Sequence, residues 1–263
     1  MNIVLGPAGS PVPSTREGIA AVNSLGLGAM EVAFTHGVRM RNETADELRE
    51  INEQHHIALS IHAPYYINLL SDDRKIVSAS KQRILDTCER AHHMGASPVV
   101  FHVGYYGTHA PTIAQQRAEE AVGELVATIE RNAWNVTLAP ETSGKQSQYG
   151  SLDEIVRLSA ATGCTFCVDI AHLFARNGGT VDYTTIFDMV GKRPLHVHFS
   201  GIAFGPKGER HHLVLGEGGP DFRSFAHALL ARRVSATIIS ESPVTWKDSL
   251  TMKQIIEELG YRF

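Results

Sequence analysis

Eight short apolar runs, each followed by a stretch of helix-forming residues, constrain this chain more than any other feature. The runs are Asn2–Leu5, Ala29–Phe34, Ile57–Ile61, Pro98–His102, Val136–Ala139, Thr165–Ile170, Pro194–Phe199 and Ala236–Ser240. They are continuous rather than alternating in polarity, the pattern of parallel strands covered on both faces. Segments of 3.6-residue periodicity lie between them: Thr15–Leu25, Thr44–Gln54, Lys75–Met94, Thr112–Asn132, Leu152–Thr162, Tyr183–Val190, Phe222–Ala231 and Asp248–Leu259. Thr44, Thr112, Ser151, Asp221 and Asp248 are the expected N-caps, and Gly26, Gly95 and Gly163 stand where helices end. Eight βα units specify one α/β domain over residues 1–263, a (β/α)8 TIM barrel with parallel strands, rather than a doubly wound sheet with a second domain. No linker, charge block or shift of composition marks a boundary. The longest irregular segments, Asn68–Lys75, Gly104–Pro111, Thr142–Gly150 and Ser200–Pro220, each follow a strand. They therefore belong at the C-terminal mouth, where such barrels carry their active sites.

Composition narrows the chemistry. At 43% hydrophobic residues the chain is not disordered, and no apolar run is long enough for a membrane span or a signal peptide. Three cysteines, Cys88, Cys164 and Cys167, are too few for a disulfide framework and fit a reducing, cytoplasmic setting. The Cys164–Cys167 pair has C-x-x-C spacing but runs into the sixth strand, which makes it structural. Lys and Arg number 24 against 28 acids, so the net charge of −4 provides no global footprint for nucleic acid. Phosphate binding would need a local positive source. The 14 histidines are the unusual count.

The strand ends explain part of that count. Strands three to eight end at His62, His102, Glu141, Asp169, His198 and Glu241, and in a barrel these ends form a ring around one cavity. His172 follows Asp169 by three residues, and Glu209 and His211 lie in the long loop after strand seven. A single polar residue at a strand end is ordinarily just hydrogen-bonded. Three histidines and three acids sharing one mouth would suffer desolvation and repulsion that a metal cluster removes. Imidazole and carboxylate donors without thiolate suit Zn²⁺, Mn²⁺ or Fe²⁺, and nine donors fit two or three ions. His212 is left as a backbone or outer contact, and His36, His109, His196 and His227 have no convergent partner.

The segments Ile61–Leu69 (IHAPYYINL), Phe101–Gly104 (FHVG), Ala139–Gly144 (APETSG), Cys167–Ala175 (CVDIAHLFA), His198–Ser200 (HFS), Glu209–Gly218 (ERHHLVLGEG) and Ile239–Glu241 (ISE) carry a resemblance to the endonuclease IV family of abasic-site DNA repair enzymes, within the xylose-isomerase-like barrels. The resemblance implies a hydrolase that incises damaged double-stranded DNA 5′ of abasic sites with two or three zinc ions. It implies that His62 and His102 hold one ion, that Asp169, His198 and Glu241 hold a second with Glu141 bridging, and that His172, Glu209 and His211 hold a third. Glu141 and Glu241 would then be catalytic, orienting or deprotonating the attacking water. Tyr65 would contact DNA at the lesion, and Arg39, in the loop after strand two, would be the inserting arginine. The chain departs from the family at Glu209, where an Asp is usual, and at Ser200-Gly201, where Asn-Asp is usual.

Two other functions remain open. A sugar isomerase or epimerase would use a single divalent ion at Glu141, Asp169, His198 and Glu241, but has no use for the surplus donors. A catalytically idle relative would share the ligand set. A monomer is expected, since one lesion needs one active site.

Overall fold

The apolar runs become strands because both their faces are covered: Ile3, Leu5, Ile61, Val99, Phe101, Val168, Val197 and Ile238 are each at most 2% exposed. The computed structural model describes residues 1–263. Eight parallel strands make the barrel: β1 (Ile3–Pro7), β2 (Ala29–Ala33), β3 (Ala58–His62), β4 (Val99–Phe101), β6 (Leu138–Pro140), β8 (Cys167–Asp169), β9 (Leu195–Phe199) and β12 (Ala236–Ser240). The expected TIM barrel is therefore what the chain forms. The segments expected to be irregular supply four further strands at the mouth, β5 (Gly104–Tyr105), β7 (Gln148–Tyr149), β10 (Gly201–Gly205) and β11 (Gly208–Leu213). β5 pairs with β7 and β10 with β11, both antiparallel.

Nine helices wrap the barrel: α1 (Thr15–Ser24), α2 (Asn42–His55), α3 (Arg74–Met94), α4 (Pro111–Arg131), α5 (Leu152–Thr162), α6 (Ile170–Arg176), α7 (Tyr183–Val190), α8 (Phe222–Arg232) and α9 (Trp246–Glu258). Ser151 caps α5 in a reciprocal box with Glu154, and Asp221 caps α8, as expected. Thr44 and Thr112 are not caps, because α2 begins at Asn42 and Pro111 opens α4. Asp248 lies inside α9, where its carboxylate accepts from the Leu215 backbone N–H at 2.7 Å. No helix is long and apolar enough to cross a membrane.

The barrel is assembled from two four-stranded arcs, β2-β3-β4-β6 and β1-β12-β9-β8. They meet along two seams, each marked by a single bridge: Ala8 with Glu31, and Glu141 with Cys167. The first seam closes tightly because Gly6 has no side chain; a Cβ there would lie 1.6 Å from the Ala29 carbonyl oxygen. Along the second, Thr165 N–H donates to the Leu138 carbonyl at 2.9 Å and Thr142 N–H to the Cys167 carbonyl at 3.1 Å.

Candidate metal centre

Strand geometry delivers the polar side chains. His62 and Asp169 end β3 and β8, while His102, Glu141 and Glu241 stand one residue past β4, β6 and β12. Two-residue alternation on β9 turns His196 and His198 to the same inward face. Asp169 also acts on the backbone, where its side chain accepts the His172 N–H at 2.6 Å, which ends β8 and caps the unexpected α6. The three-residue spacing of Asp169 and His172 is the spacing of a cap and the residue it holds.

Glu141, wholly buried, is the hub. Its Oε2 lies 3.2 Å from Nε2 of both His62 and His102. Its Oε1 lies 3.0 Å from His198 Nδ1 and 3.5 Å from His172 Nδ1. One carboxylate thus divides its two oxygens between two groups of imidazoles. Beyond it, His172 Nε2 stands 3.4 Å from Glu209, and His212 Nε2 3.6 Å from Glu241.

Three rings are anchored through Nδ1. His62 Nδ1 donates to the Ala63 carbonyl at 2.7 Å and His172 Nδ1 to the Thr142 carbonyl at 3.0 Å. His212 Nδ1 bonds the Ser200 hydroxyl at 2.7 Å. The two carbonyl anchors keep a proton on Nδ1, so the neutral rings of His62 and His172 carry their lone pair on Nε2, as ligating histidines require. His198 is reversed, with Nδ1 toward Glu141 and Nε2 toward buried Glu31 at 3.0 Å.

Electrostatics follow from burial set against charge. Burial opposes protonation of His62, but the hydrogen bond and charge of Glu141 overcome it and push the ring up to about 9. His172 also reaches about 9, through Asp169 and Glu141, against burial. At His102 burial prevails, assisted by the charges of His172 and His62, and holds the ring down at about 4. Glu141 stays well below the carboxylate range in spite of its burial, because His102 and His198 face it. Glu241 is raised by burial and by the charge of Glu141.

These shifts fix how the cation-free fold responds to pH. His62 and His172 bind protons more tightly folded, near 9, than at their ordinary 6.5, so their stabilisation is complete below pH 6.5 and is lost as pH rises through about 9. His102, at about 4, acts below 6.5 and with the opposite sign. Calorimetry in chelator is expected to show the melting temperature falling by several degrees between pH 6.5 and 9. A flat profile would show that the acids are balanced in some other way.

The donor set fits divalent cations. Asp169 Oδ2 and His102 Nδ1 are buried without hydrogen-bond partners, an arrangement that costs stability unless something charged lies close by. Four sets of donor atoms each lie within 4.8 Å of one another: His62, His102 and Glu141; Glu141, Asp169, His198 and Glu241; Asp169, His172, His212 and Glu241; and, deeper in the barrel, Cys167, His196 and His198. The first three consist of nitrogen and oxygen donors and share carboxylates as a multinuclear site does, whereas the fourth holds the Cys167 thiol and no carboxylate.

The structure brings together His62, His102, Glu141, Asp169, His172, His198, Glu209 and Glu241. It leaves His211 out, exposed on β11, and brings His212 in instead. A register shift between Ala203 and Phe204 inserts Arg210 as an extra residue, since Phe204 pairs with Glu209 and Ala203 with His211. Such a bulge breaks the alternation and lets Glu209 and His212 both face the cavity. Replacing His212 by Ala is expected to weaken zinc retention roughly tenfold, whereas His211→Ala leaves it unchanged. Zinc titration of the two variants checks this, and the reverse order would restore His211.

Tyr65, 59% exposed, stands over the mouth with its ring 5.6 Å from that of His62. Arg39 is exposed on the loop between β2 and α2 and does not line the cavity of about 280 Å³. Lys145 does line it, although nothing in its sequence surroundings marks it. Glu31 and His196 also escape a reading of strand ends. Their signal is an acid inside the apolar run of β2 and a histidine two residues before His198.

A family model described as xylose isomerase-like TIM barrel matches residues 19–259. The uncharacterized protein MJ0133 of Methanocaldococcus jannaschii is 33% identical over 98% of both chains. A probable endonuclease 4 of Mycobacterium ulcerans is 29% identical over 71% of this chain and 73% of its own. Among solved structures, a D-tagatose 3-epimerase-like protein superposes with TM-score 0.76 at 18% identity, covering 98% of this chain and 96% of its own. Endonuclease IV from Thermus thermophilus superposes with TM-score 0.73 at 17% identity over 98% of both.

Proposed function

Starting from the fact that this chain belongs to the xylose isomerase-like TIM barrel family, we propose that it is a metal-dependent phosphodiesterase that incises DNA 5′ of abasic sites. The observation that carries this reading is the division of Glu141 between two imidazole groups, with a further donor set beyond them. One ion has no use for so many donors; a di- or trinuclear zinc site does. His62 and His102 with Glu141 would hold one cation, Glu141 with Asp169, His198 and Glu241 a second, and His172 with Glu209 and His212 a third. Bound there, the cations supply neutralisation of the phosphate, activation of water and stabilisation of the leaving oxygen. The sequence likeness to probable endonuclease 4 proteins supports the same substrate class.

The chain's own groups do the rest. Glu241, whose side chain is 16% exposed at the cavity, accepts the proton of the attacking water. Lys145 meets the non-bridging phosphate oxygens at the cavity wall. Tyr65 offers an aromatic face to a sugar lacking its base, which is the residue least costly to turn out of a duplex. Arg39 is positioned outside the cavity, where it can meet the strand beyond.

Incubating the zinc-loaded protein with a duplex bearing one abasic site, with and without chelator, tests the reading alongside elemental analysis. Two or three zinc ions per chain and chelator-sensitive incision leaving a 3′-hydroxyl are expected. One ion and no incision would instead favour a sugar isomerase or epimerase. That second reading is supported by the compact four-donor set of Glu141, Asp169, His198 and Glu241, with Lys145 alongside as a proton carrier.

A further inference from the structure

Glu31 lies beneath the donor ring, 1% exposed, as the only acid of β2. Its Oε2 accepts from Ser60 Oγ at 2.8 Å and from His196 Nε2 at 2.9 Å. Its Oε1 lies 3.0 Å from His198 Nε2, a charge contact whose angle falls short of a hydrogen bond, and neither of those two atoms has a hydrogen-bond partner elsewhere. Opposite, His198 Nδ1 faces Glu141 at 3.0 Å and Glu241 at 3.4 Å.

We propose that Glu31 is a positioning residue, clamped by Ser60 and His196, that holds the proton of His198 on Nε2 and so presents Nδ1 bare to the cation shared with Glu141 and Glu241. The chemistry follows from the two ring nitrogens: a neutral imidazole carries one proton, and whichever nitrogen lacks it is the ligand. A carboxylate can only accept, so it draws the proton to the side it faces. An amide in its place could turn its NH2 toward Nε2, which would make Nε2 the acceptor and leave the proton on Nδ1, pointed at the metal. His196 and Ser60 are not ligands in this arrangement. They fill one oxygen of Glu31 so that the other is kept for His198.

Because this role presupposes cations at the mouth, the wild-type protein is first stripped by chelator, dialysed and titrated with Co²⁺ alone, read by its visible spectrum and by equilibrium affinity. No binding by the wild type would overturn the multinuclear reading, and this role with it. If the wild type binds, Glu31→Gln is expected to weaken one Co²⁺ site by roughly 10–100-fold and to change its visible band, while the His62 and His102 site keeps its affinity. Equal affinity and an unchanged spectrum in Glu31→Gln would overturn the positioning role alone. Should that variant fail to fold in chelator, Ser60→Ala decides: a loss of roughly fivefold at the same site supports the role, and none overturns it. Melting temperature separates packing from positioning, since a purely structural Glu31 would lower it without moving the Co²⁺ band.

Discussion

Glu141→Gln is expected to lower incision by roughly 10²–10³-fold or more and to reduce the zinc content of the isolated protein. The substitution keeps the volume and removes the charge. In the native site both oxygens face imidazole nitrogens, at 3.2 Å from His62 and His102 and 3.0 Å from His198. An amide offers one oxygen in place of two and puts an NH2 against the other group. Only one of the two neighbouring donor sets can then be served, so the effect is larger than the loss of an ordinary ligand. Circular dichroism should remain that of the barrel, because Glu141 lies past the end of β6 and its backbone N–H still donates to the Phe101 carbonyl. Full activity in a folded Glu141→Gln protein would sink the bridging role.

The largest loss of stability is expected from Gly6→Ala. The Cβ would stand 1.6 Å from the Ala29 carbonyl oxygen and 2.3 Å from its carbon, and both belong to backbone that no rotamer change can move aside. The seam between β1 and β2 would have to open. Since Gly28 N–H donates to the Leu5 carbonyl at 3.0 Å and Gly9 N–H to the Glu31 carbonyl at 2.8 Å across it, opening costs hydrogen bonds as well as packing. A loss of about 3 kcal/mol or more is expected, at the upper end of overpacking effects. Denaturant melts with and without zinc measure it; a variant within about 1 kcal/mol of the wild type would mean that the arcs do not meet so closely.

Much of this was legible in the residue order, for a physical reason. Strands buried on both faces have to be continuous apolar runs, so the polar residues that end them stand out, and His62, His102, Glu141, Asp169, His198 and Glu241, which the fold gathers together, are visible in that way. The same habit hid Glu31, which sits within β2 rather than at its end. It hid His196 as well, whose partner Glu31 is 165 residues away in sequence. His211 and His212 could not be told apart without the bulge at Arg210, since one extra residue exchanges which side chain faces inward. The helix α6 has no separate signal in the residue order because Asp169 is at once the last residue of β8 and the N-cap of the helix.

Glu31 and Glu141 each sit at one of the two bridges that join the arcs. The molecule can therefore be regarded as two half-shells whose joined edges carry Glu31 and Glu141. His62, His102 and Glu141 all come from the shell built on β2, β3, β4 and β6 and could gather a cation before the shells meet. Asp169, His198 and Glu241 come from the other, so the set they complete with Glu141 exists only across a joined edge. A cation held in that set would act as a clasp on the barrel, and its occupancy would report closure. Slow loading of one ion after a fast first one would be the kinetic trace of the two halves coming together.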